Sequence, residues 1–304
     1  MIKPNVTDEF GRLKVVVLGT AEEFGGEPPI DEAYDPKSKE HIKNGTFPKE
    51  KDLVPELEGF AAVLEKYKVE VLRPQVIDNY NQIFTRDIGF VIDDTFLISN
   101  VIEERDREIG ALKAVLKLIP EKNRISLPES VRIEGGDIMP VQDMIFIGFS
   151  GPGDFGEYKV ARTNIAGVEY VREHFPGREL KAFELRKSDT EPRDNALHLD
   201  CCFQPLGLGH ALLYPGGFKN QDDVDFIIDF FGKDMIIELS RDDMYDMKSN
   251  LFSIAPNIVV SEKGFVDLNN KLRQLGYTVE EIKYSETAKM EGLLRCSTLP
   301  LVRG

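Results

Sequence analysis

The sequence predicts an α/β chain closed into a pseudo-symmetric ring of five units. Three observations predict it. One phrase (strand, turn, strand, helix, strand) recurs five times along the 304 residues. No obvious linker separates the copies. Each copy is too small to bury its own apolar faces, so the copies must share a core. A single domain over residues 1–304 follows from the same reasoning. An ordinary open α/β sheet, the commoner architecture, stands as the alternative.

The first unit opens with KVVVLG at residues 14–19, followed by a polar, Pro- and Gly-rich stretch to residue 50. A helical pattern at 53–67 and the short strand VEVLRP complete it. The second unit opens at IFTRDIGFVIDD, continues into FLISNV, carries a helix over 103–118 and closes with ISLP. The third opens at IEGGDIMPVQD, continues as MIFIGFS, has a helix near 164–174 and ends in LKAFEL. The fourth opens at ALHLDCCFQPLG, continues as HALLYP, has a helix near 221–231 and ends in MIIELS. The fifth opens at NLFSIAPN, continues as IVVS, has a helix at 264–275 and ends in YTVEEIKY. The turns inside the hairpins are Asp-Asp, Gln-Asp, Leu-Gly and Pro-Asn, residue types that suit tight reversals. The stretch 22–50 is longer than most loops, so it reads either as a lid over an active site or as a surface excursion.

Composition narrows the partners. Hydrophobic residues at 41% and charged residues at 30% describe a soluble globular chain. With 38 Lys and Arg against 53 Asp and Glu, the net charge is −15, which repels nucleic acid and anionic lipid. The same field favours a cationic small molecule. Three cysteines, two of them adjacent, form neither a disulfide framework nor a CxxC metal site. Cys201 and Cys202 read as buried small residues. The N-terminal MIKPNVTDEFGRLKVVVLG has no apolar signal core, and no apolar run approaches the ~20 residues of a membrane span. The expected compartment is therefore the reducing cytoplasm. No HExxH or paired-His spacing points to a metal, and no cofactor is expected. A homo-oligomer is left open.

Four segments place polar groups at strand starts: Thr85-Arg86-Asp87, Glu134-Gly135-Gly136-Asp137, His198-Leu199-Asp200 and Arg295-Cys296-Ser297. Buried charge is costly without partners. In a pseudo-symmetric ring, equivalent positions converge on the axis, where such groups satisfy one another in one site. The inventory suits attack on a guanidine carbon. Cys296 supplies a thiolate, His198 moves protons near neutral pH, and carboxylates hold a planar cation by its N–H fork.

The ordered set IFTRD, IEGGD, ARTN, HLDCCF and EGLLRCSTLPLVR resembles the guanidine-modifying, or pentein, superfamily from about residue 14 onward. That family includes arginine deiminases, arginine dihydrolases, dimethylarginine dimethylaminohydrolases and amidinotransferases. The resemblance implies a five-bladed α/β propeller. It implies Cys296 as nucleophile, His198 as general acid/base, and Glu134 as the carboxylate that orients His198 and positions the guanidinium. Asp87 and Asp200 match the guanidinium-binding acids, and Arg162 matches an arginine that grips the substrate carboxylate. Arg86 and Asp137 join the substrate-binding set as supports. IFTRD and HLD resemble deiminases and dihydrolases, whereas EGLLRC resembles the dimethylarginine hydrolase ending. The expected reaction is hydrolysis of arginine or a close derivative through an amidino-cysteine. The alternatives are amidino transfer to an amine such as glycine and, from another class, a non-catalytic binding protein on the same scaffold.

Overall fold

The computed structural model describes residues 1–304. Five three-stranded sheets follow one another, each built on the same plan. The elements run β1 (Leu13–Leu18), α1 (Pro36–Lys43), α2 (Glu50–Lys66) and β2 (Glu70–Leu72). Next come β3 (Gly89–Ile92), β4 (Thr95–Ile98), α3 (Asp106–Ala111), α4 (Lys113–Leu116) and β5 (Arg124–Ser126). The third unit holds β6 (Ile138–Val141), β7 (Met144–Phe149), α5 (Pro152–Glu157), α6 (Ile165–His174) and β8 (Glu179–Glu184). The fourth holds β9 (Phe203–Pro205), β10 (Ala211–Leu213), α7 (Gln221–Phe231) and β11 (Ile236–Glu238). After α8 (Arg241–Tyr245) come β12 (Phe252–Ala255), β13 (Ile258–Glu262), α9 (Val266–Gln274), β14 (Thr278–Ile282) and β15 (Thr298–Arg303).

In blades two to five an antiparallel hairpin leads through helix to a third, parallel strand: β3–β4–β5, β6–β7–β8, β9–β10–β11 and β12–β13–β14. Two of the hairpin turns place Asp93 and Gln142 at φ of 54° and 53°, the left-handed geometry a tight reversal demands. The first blade is different. Its outer antiparallel strand is β15, from the far end of the chain, paired with β1 from Leu13↔Arg303 to Leu18↔Thr298. That pairing closes the ring, and the expected five-unit α/β architecture is present.

Apolar spacing explains the packing. On α2, Leu53, Leu57, Phe60, Ala61 and Leu64 recur at helical intervals and are buried. Phe60 lies edge-on to Phe252 and Tyr284, each at 5.7 Å. Truncating so well packed a ring costs about 3–5 kcal/mol. No helix is long and apolar enough to cross a membrane.

Three local expectations change. The stretch 22–50 contains α1, whose N-cap Asp35 accepts from Ser38 N at 2.7 Å with Pro36 in the first turn. The helix expected over 103–118 is broken into a 3-10 turn and the short helices α3 and α4, with Leu112 between them at ψ −4°. Cys201 and Cys202 lie in and just after a 3-10 turn rather than in a strand, and they pack into different apolar clusters.

Candidate active site

Each blade's first strand is reached through a tight turn at the ring's axis. The turns are closed by i→i−3 backbone bonds: Asp87 N to Phe84 O, Asp137 N to Glu134 O, Cys201 N to His198 O, Asn250 N to Met247 O, and Thr298 N to Arg295 O. These five turns bind one another. Arg86 N donates to Cys296 O at 3.0 Å, and Thr85 Oγ1 to Ser297 O at 3.0 Å. Leu199 N donates to Asp137 Oδ1 at 2.9 Å, and Ser249 Oγ to Asp200 O at 2.8 Å. The Gly-Gly of IEGGD is a packing requirement. A Cβ on Gly135 would sit 2.2 Å from Arg86 O, and one on Gly136 would sit 2.6 Å from the His198 ring.

The predicted residues meet there, all buried: Cys296, His198, Glu134, Asp87, Asp200 and Arg162. His198 Nε2 lies 3.0 Å from Glu134 Oε2, and its Nδ1 lies 3.6 Å from Asp87 Oδ1. Cys296 Sγ lies 3.6 Å from Asp200 Oδ2. Arg162 Nη1 donates to both Glu134 oxygens at 3.3 Å, while its Nη2 is buried without a partner. Arg86 and Asp137 sit behind this group. Arg86 Nε donates to Arg295 O at 3.3 Å, and Asp137 anchors the backbone beside His198.

Burial and neighbouring charges shift the titration of the group. Burial opposes the His198 imidazolium, but Asp87, Asp137 and Glu134 outweigh it and raise its pKa to about 9. Burial would raise Glu134, yet Arg162 and His198 hold its carboxyl well below the ordinary range. Burial pushes the Cys296 thiol well above its usual value, and Asp200 and Asp87 push it further. At neutral pH the resting site therefore pairs a neutral thiol with a charged imidazole. Asp87 Oδ1 has no hydrogen-bond partner, although Oδ2 is held by Arg105 Nη1 at 2.6 Å.

Several supporting contacts were not foreseen, and Arg295 alone among these residues stands in one of the four motifs. Arg105 also binds Glu108, at 2.7 and 3.0 Å. Arg295 bridges Asp200 (2.8 Å) and a buried Glu9 (2.9 and 3.1 Å). Asn250 accepts from Arg295 N and Cys296 N and donates to Cys296 Sγ. Lys187 Nζ donates to Ala196 O and Leu197 O, both at 2.7 Å, just ahead of His198. For Asn250 a signal did exist: the fifth unit opens at NLFSIAPN, in register with the four motif-bearing starts.

The segment 22–50 covers the group. Phe24, Asp35, Lys37, Ser38 and Phe47 are buried, while residues 25–27 and 31–32 are exposed. Lys37 Nζ donates to Tyr245 O, and Arg162 lies 5.4 Å from the Tyr34 ring centre. Beneath the cover is a cavity of about 600 Å³, walled by Phe24, Tyr34, Phe47, Tyr80, Phe84 and Glu108 among others. None of the reactive side chains lines it. It meets them through neighbours, among them Glu108, which pairs with Arg105, Tyr34, which faces Arg162, and Lys159, whose carbonyl accepts from Arg162 Nε at 2.8 Å. Asp87, Glu134 and His198 also bring three donor atoms within 4.8 Å, a spacing that a metal ion would accept. Carboxylates already paired with the guanidinium groups of Arg105 and Arg162 suit a planar cation equally.

Comparison with known proteins bears on the family and the fold. The family model described as N,N dimethylarginine dimethylhydrolase, eukaryotic, matches residues 33–303. The chain is 29% identical over 300 residues to the uncharacterized protein YkgA of Bacillus subtilis (strain 168), covering 97% of this chain and 94% of that protein. It is 24% identical over 263 residues to an arginine deiminase of Listeria monocytogenes, covering 73% of this chain but 61% of the deiminase. Among solved structures, the N-terminal domain of ArgZ, a cyanobacterial arginine dihydrolase, aligns with a TM-score of 0.78 at 19% identity, over 95% of this chain and 98% of that one. SxtG, an amidinotransferase from Microseira wollei, aligns at 0.74 and 17% identity, over 99% and 97%. At these identities the two structures share the fold.

Proposed function

The chain belongs to the N,N dimethylarginine dimethylhydrolase family, within the guanidine-modifying superfamily, and we propose that it hydrolyses the guanidine group of arginine or a close derivative through an amidino thioether on Cys296. The observation that carries this reading is the burial of a thiol, an imidazole and three carboxylates at one axis, with Asp87 Oδ1 free of any hydrogen bond.

In this reading Asp87 and Asp200 hold the guanidinium, each already oriented by a buried arginine. Arg162 Nη2 is the free donor that grips the substrate carboxylate. The arriving positive charge makes thiolate formation favourable beside sulfur, because it offsets the repulsion from the two acids. The thiol gives its proton to solvent as the substrate binds, and the thiolate adds to the guanidine carbon. His198, fixed by Glu134 and charged below about pH 9, protonates the departing nitrogen as the C–N bond breaks. The neutral imidazole then takes a proton from water, which adds to the amidino carbon and expels the thiolate. The products are citrulline plus ammonia or an amine, or ornithine if two cycles run.

Amidino transfer begins with the same attack by sulfur but breaks the other C–N bond: the chain nitrogen of the substrate leaves, the bare amidino group stays on Cys296, and an amine takes it in place of water. Incubation with arginine or N-methylated arginine alone, assayed for ureido product and released amine, tests the proposal. Ureido product is expected without an added acceptor. Turnover that appears only with glycine present overturns hydrolysis in favour of transfer. Loss of turnover on prolonged chelation, restored by a divalent metal, overturns the metal-free mechanism.

A further inference from the structure

Four of the five axial turns carry residues of the proposed chemistry; the fifth, Ser249–Asn250, is assigned nothing by that reading. We propose that Asn250 is a further catalytic residue: its side-chain amide donates to Cys296 Sγ and stabilises the thiolate that attacks the guanidine carbon. The inference rests on Cys296 as nucleophile.

The amide's orientation is fixed by its surroundings. Two backbone N–H groups, Arg295 N at 2.9 Å and Cys296 N at 3.1 Å, converge on Asn250 Oδ1. A nitrogen in that place would set N–H against N–H, so the oxygen belongs there and the NH2 turns the other way. Nδ2 then lies 3.2 Å from Cys296 Sγ and 3.4 Å from Asp200 O. The residue is fully buried, as is the sulfur it meets. Two other polar groups reach the sulfur: the Asp200 carboxylate at 3.6 Å, which disfavours a thiolate, and the Leu293 backbone, which favours one. The acids are needed to hold the substrate, so a side-chain donor to sulfur adds to what the arriving cation supplies.

A lysine or arginine at this turn would do so, but it would repel the guanidinium and compete for Asp200. A neutral donor stabilises negative sulfur without opposing the cation. It also turns the thiol's lone pairs relative to a fixed backbone, because the same side chain braces residues 295 and 296. A single donor bond to a charged acceptor contributes about 1.5–3 kcal/mol, or roughly 10- to 150-fold in rate.

The test reads the sulfur directly. The pH profile of iodoacetamide alkylation at Cys296, followed by peptide mass, is compared in the wild type, Asn250→Ala and Asn250→Asp, alongside kcat, KM and Tm. In Asn250→Ala the alkylation midpoint is expected to rise by about one pH unit or more, with kcat down 10- to 100-fold and KM little changed. A folded Asn250→Ala with an unmoved midpoint overturns the proposal and leaves Asn250 as a backbone brace. Asn250→Asp keeps an oxygen for both backbone N–H groups, so it folds even if the alanine variant does not. Replacing the donor with an acceptor is expected to raise the midpoint and lower kcat; wild-type turnover in Asn250→Asp overturns the proposal. Wild-type turnover surviving full alkylation of Cys296 removes the nucleophile reading itself, and the catalytic role of Asn250 with it, whatever the midpoints show.

Discussion

The axis and its cover are built by opposite means. At the axis, every reactive side chain stands on a turn that is tied to a neighbouring blade by backbone hydrogen bonds or buried ion pairs. The cover, residues 22–50, is held to the rest by scattered ties: Lys37 on Tyr245 O, Tyr245 Oη on Glu40 Oε1 at 2.6 Å, and a backbone bond from Tyr80 N to Glu23 O at 2.9 Å. The first construction fixes distances; the second permits removal. A site buried this completely needs both, because the groups must be desolvated to act and yet must admit a charged substrate.

The comparison breaks first on the nucleophile. Cys296→Ser is expected to cut kcat by about 10⁵-fold or more, with Tm within a degree or two of the wild type, since one buried atom changes and no brace is lost. Measurable turnover near the wild-type level removes the axis as the seat of chemistry. Next comes charge bracing. Arg105→Met leaves Asp87 and Glu108 buried without their partner, and urea denaturation is expected to show a loss of about 3–5 kcal/mol. The matching change in the cavity wall, Lys159→Met, breaks a half-exposed pair with Glu104 and is expected to cost less than about 1 kcal/mol. Equal losses in the two variants would erase the distinction between the buried axis and the exposed rim of the cavity.

The pH dependence follows from His198. Its folded pKa of about 9 lies above the ordinary imidazole value of about 6.5. The folded state therefore binds the proton more tightly than the unfolded chain. This contribution to stability is fully present below about pH 6.5 and is lost as pH rises through about 9. Urea midpoints across pH 6 to 10 are expected to fall along that limb, and to fall less in His198→Gln. A parallel decline in both proteins would assign the limb to other groups. The kcat/KM of the wild type should drop above about pH 9, as His198 loses the proton it gives to the leaving nitrogen.

Much of this was legible in the sequence, for physical reasons that differ by residue. The five units were legible because strand and helix periods impose apolar spacing locally, as on α2, and because tight reversals demand particular residues, as at Asp93 and Gln142. The convergence of the axial residues was legible because TRD, EGGD, HLD and RCS put expensive charges beside apolar strands. Glu9 and Arg105 were not, because a single acid or base in a chain so rich in both gains meaning only from the partner that folding brings. The closure of blade one by β15 pairs residues some 285 positions apart, beyond any local pattern. Helix α1 was missed although Asp35-Pro36 is a start signal, because the surrounding Pro, Gly and charge read as loop. Asn250 was missed because symmetry was applied to motifs and not to position.

The smallest effect is the one that tests the cover. Tyr34 is the cover's link to the axis: its ring lies 5.4 Å from the Arg162 guanidinium, and it lines the cavity. Burial raises its phenol well above the ordinary value, so the ring acts as a neutral lid rather than a charge. Tyr34→Ala should leave the axial distances intact, because no backbone bond between blades runs through it. It should loosen Arg162 by the worth of one cation–π contact, raising KM about two- to fivefold with kcat nearly unchanged. The same loosening should speed iodoacetamide access to Cys296 without moving the midpoint of its pH profile. A large fall in kcat instead, with KM constant, would mean that the cover takes part in holding the reactive geometry, and the division between a fixed axis and a movable cover would be wrong.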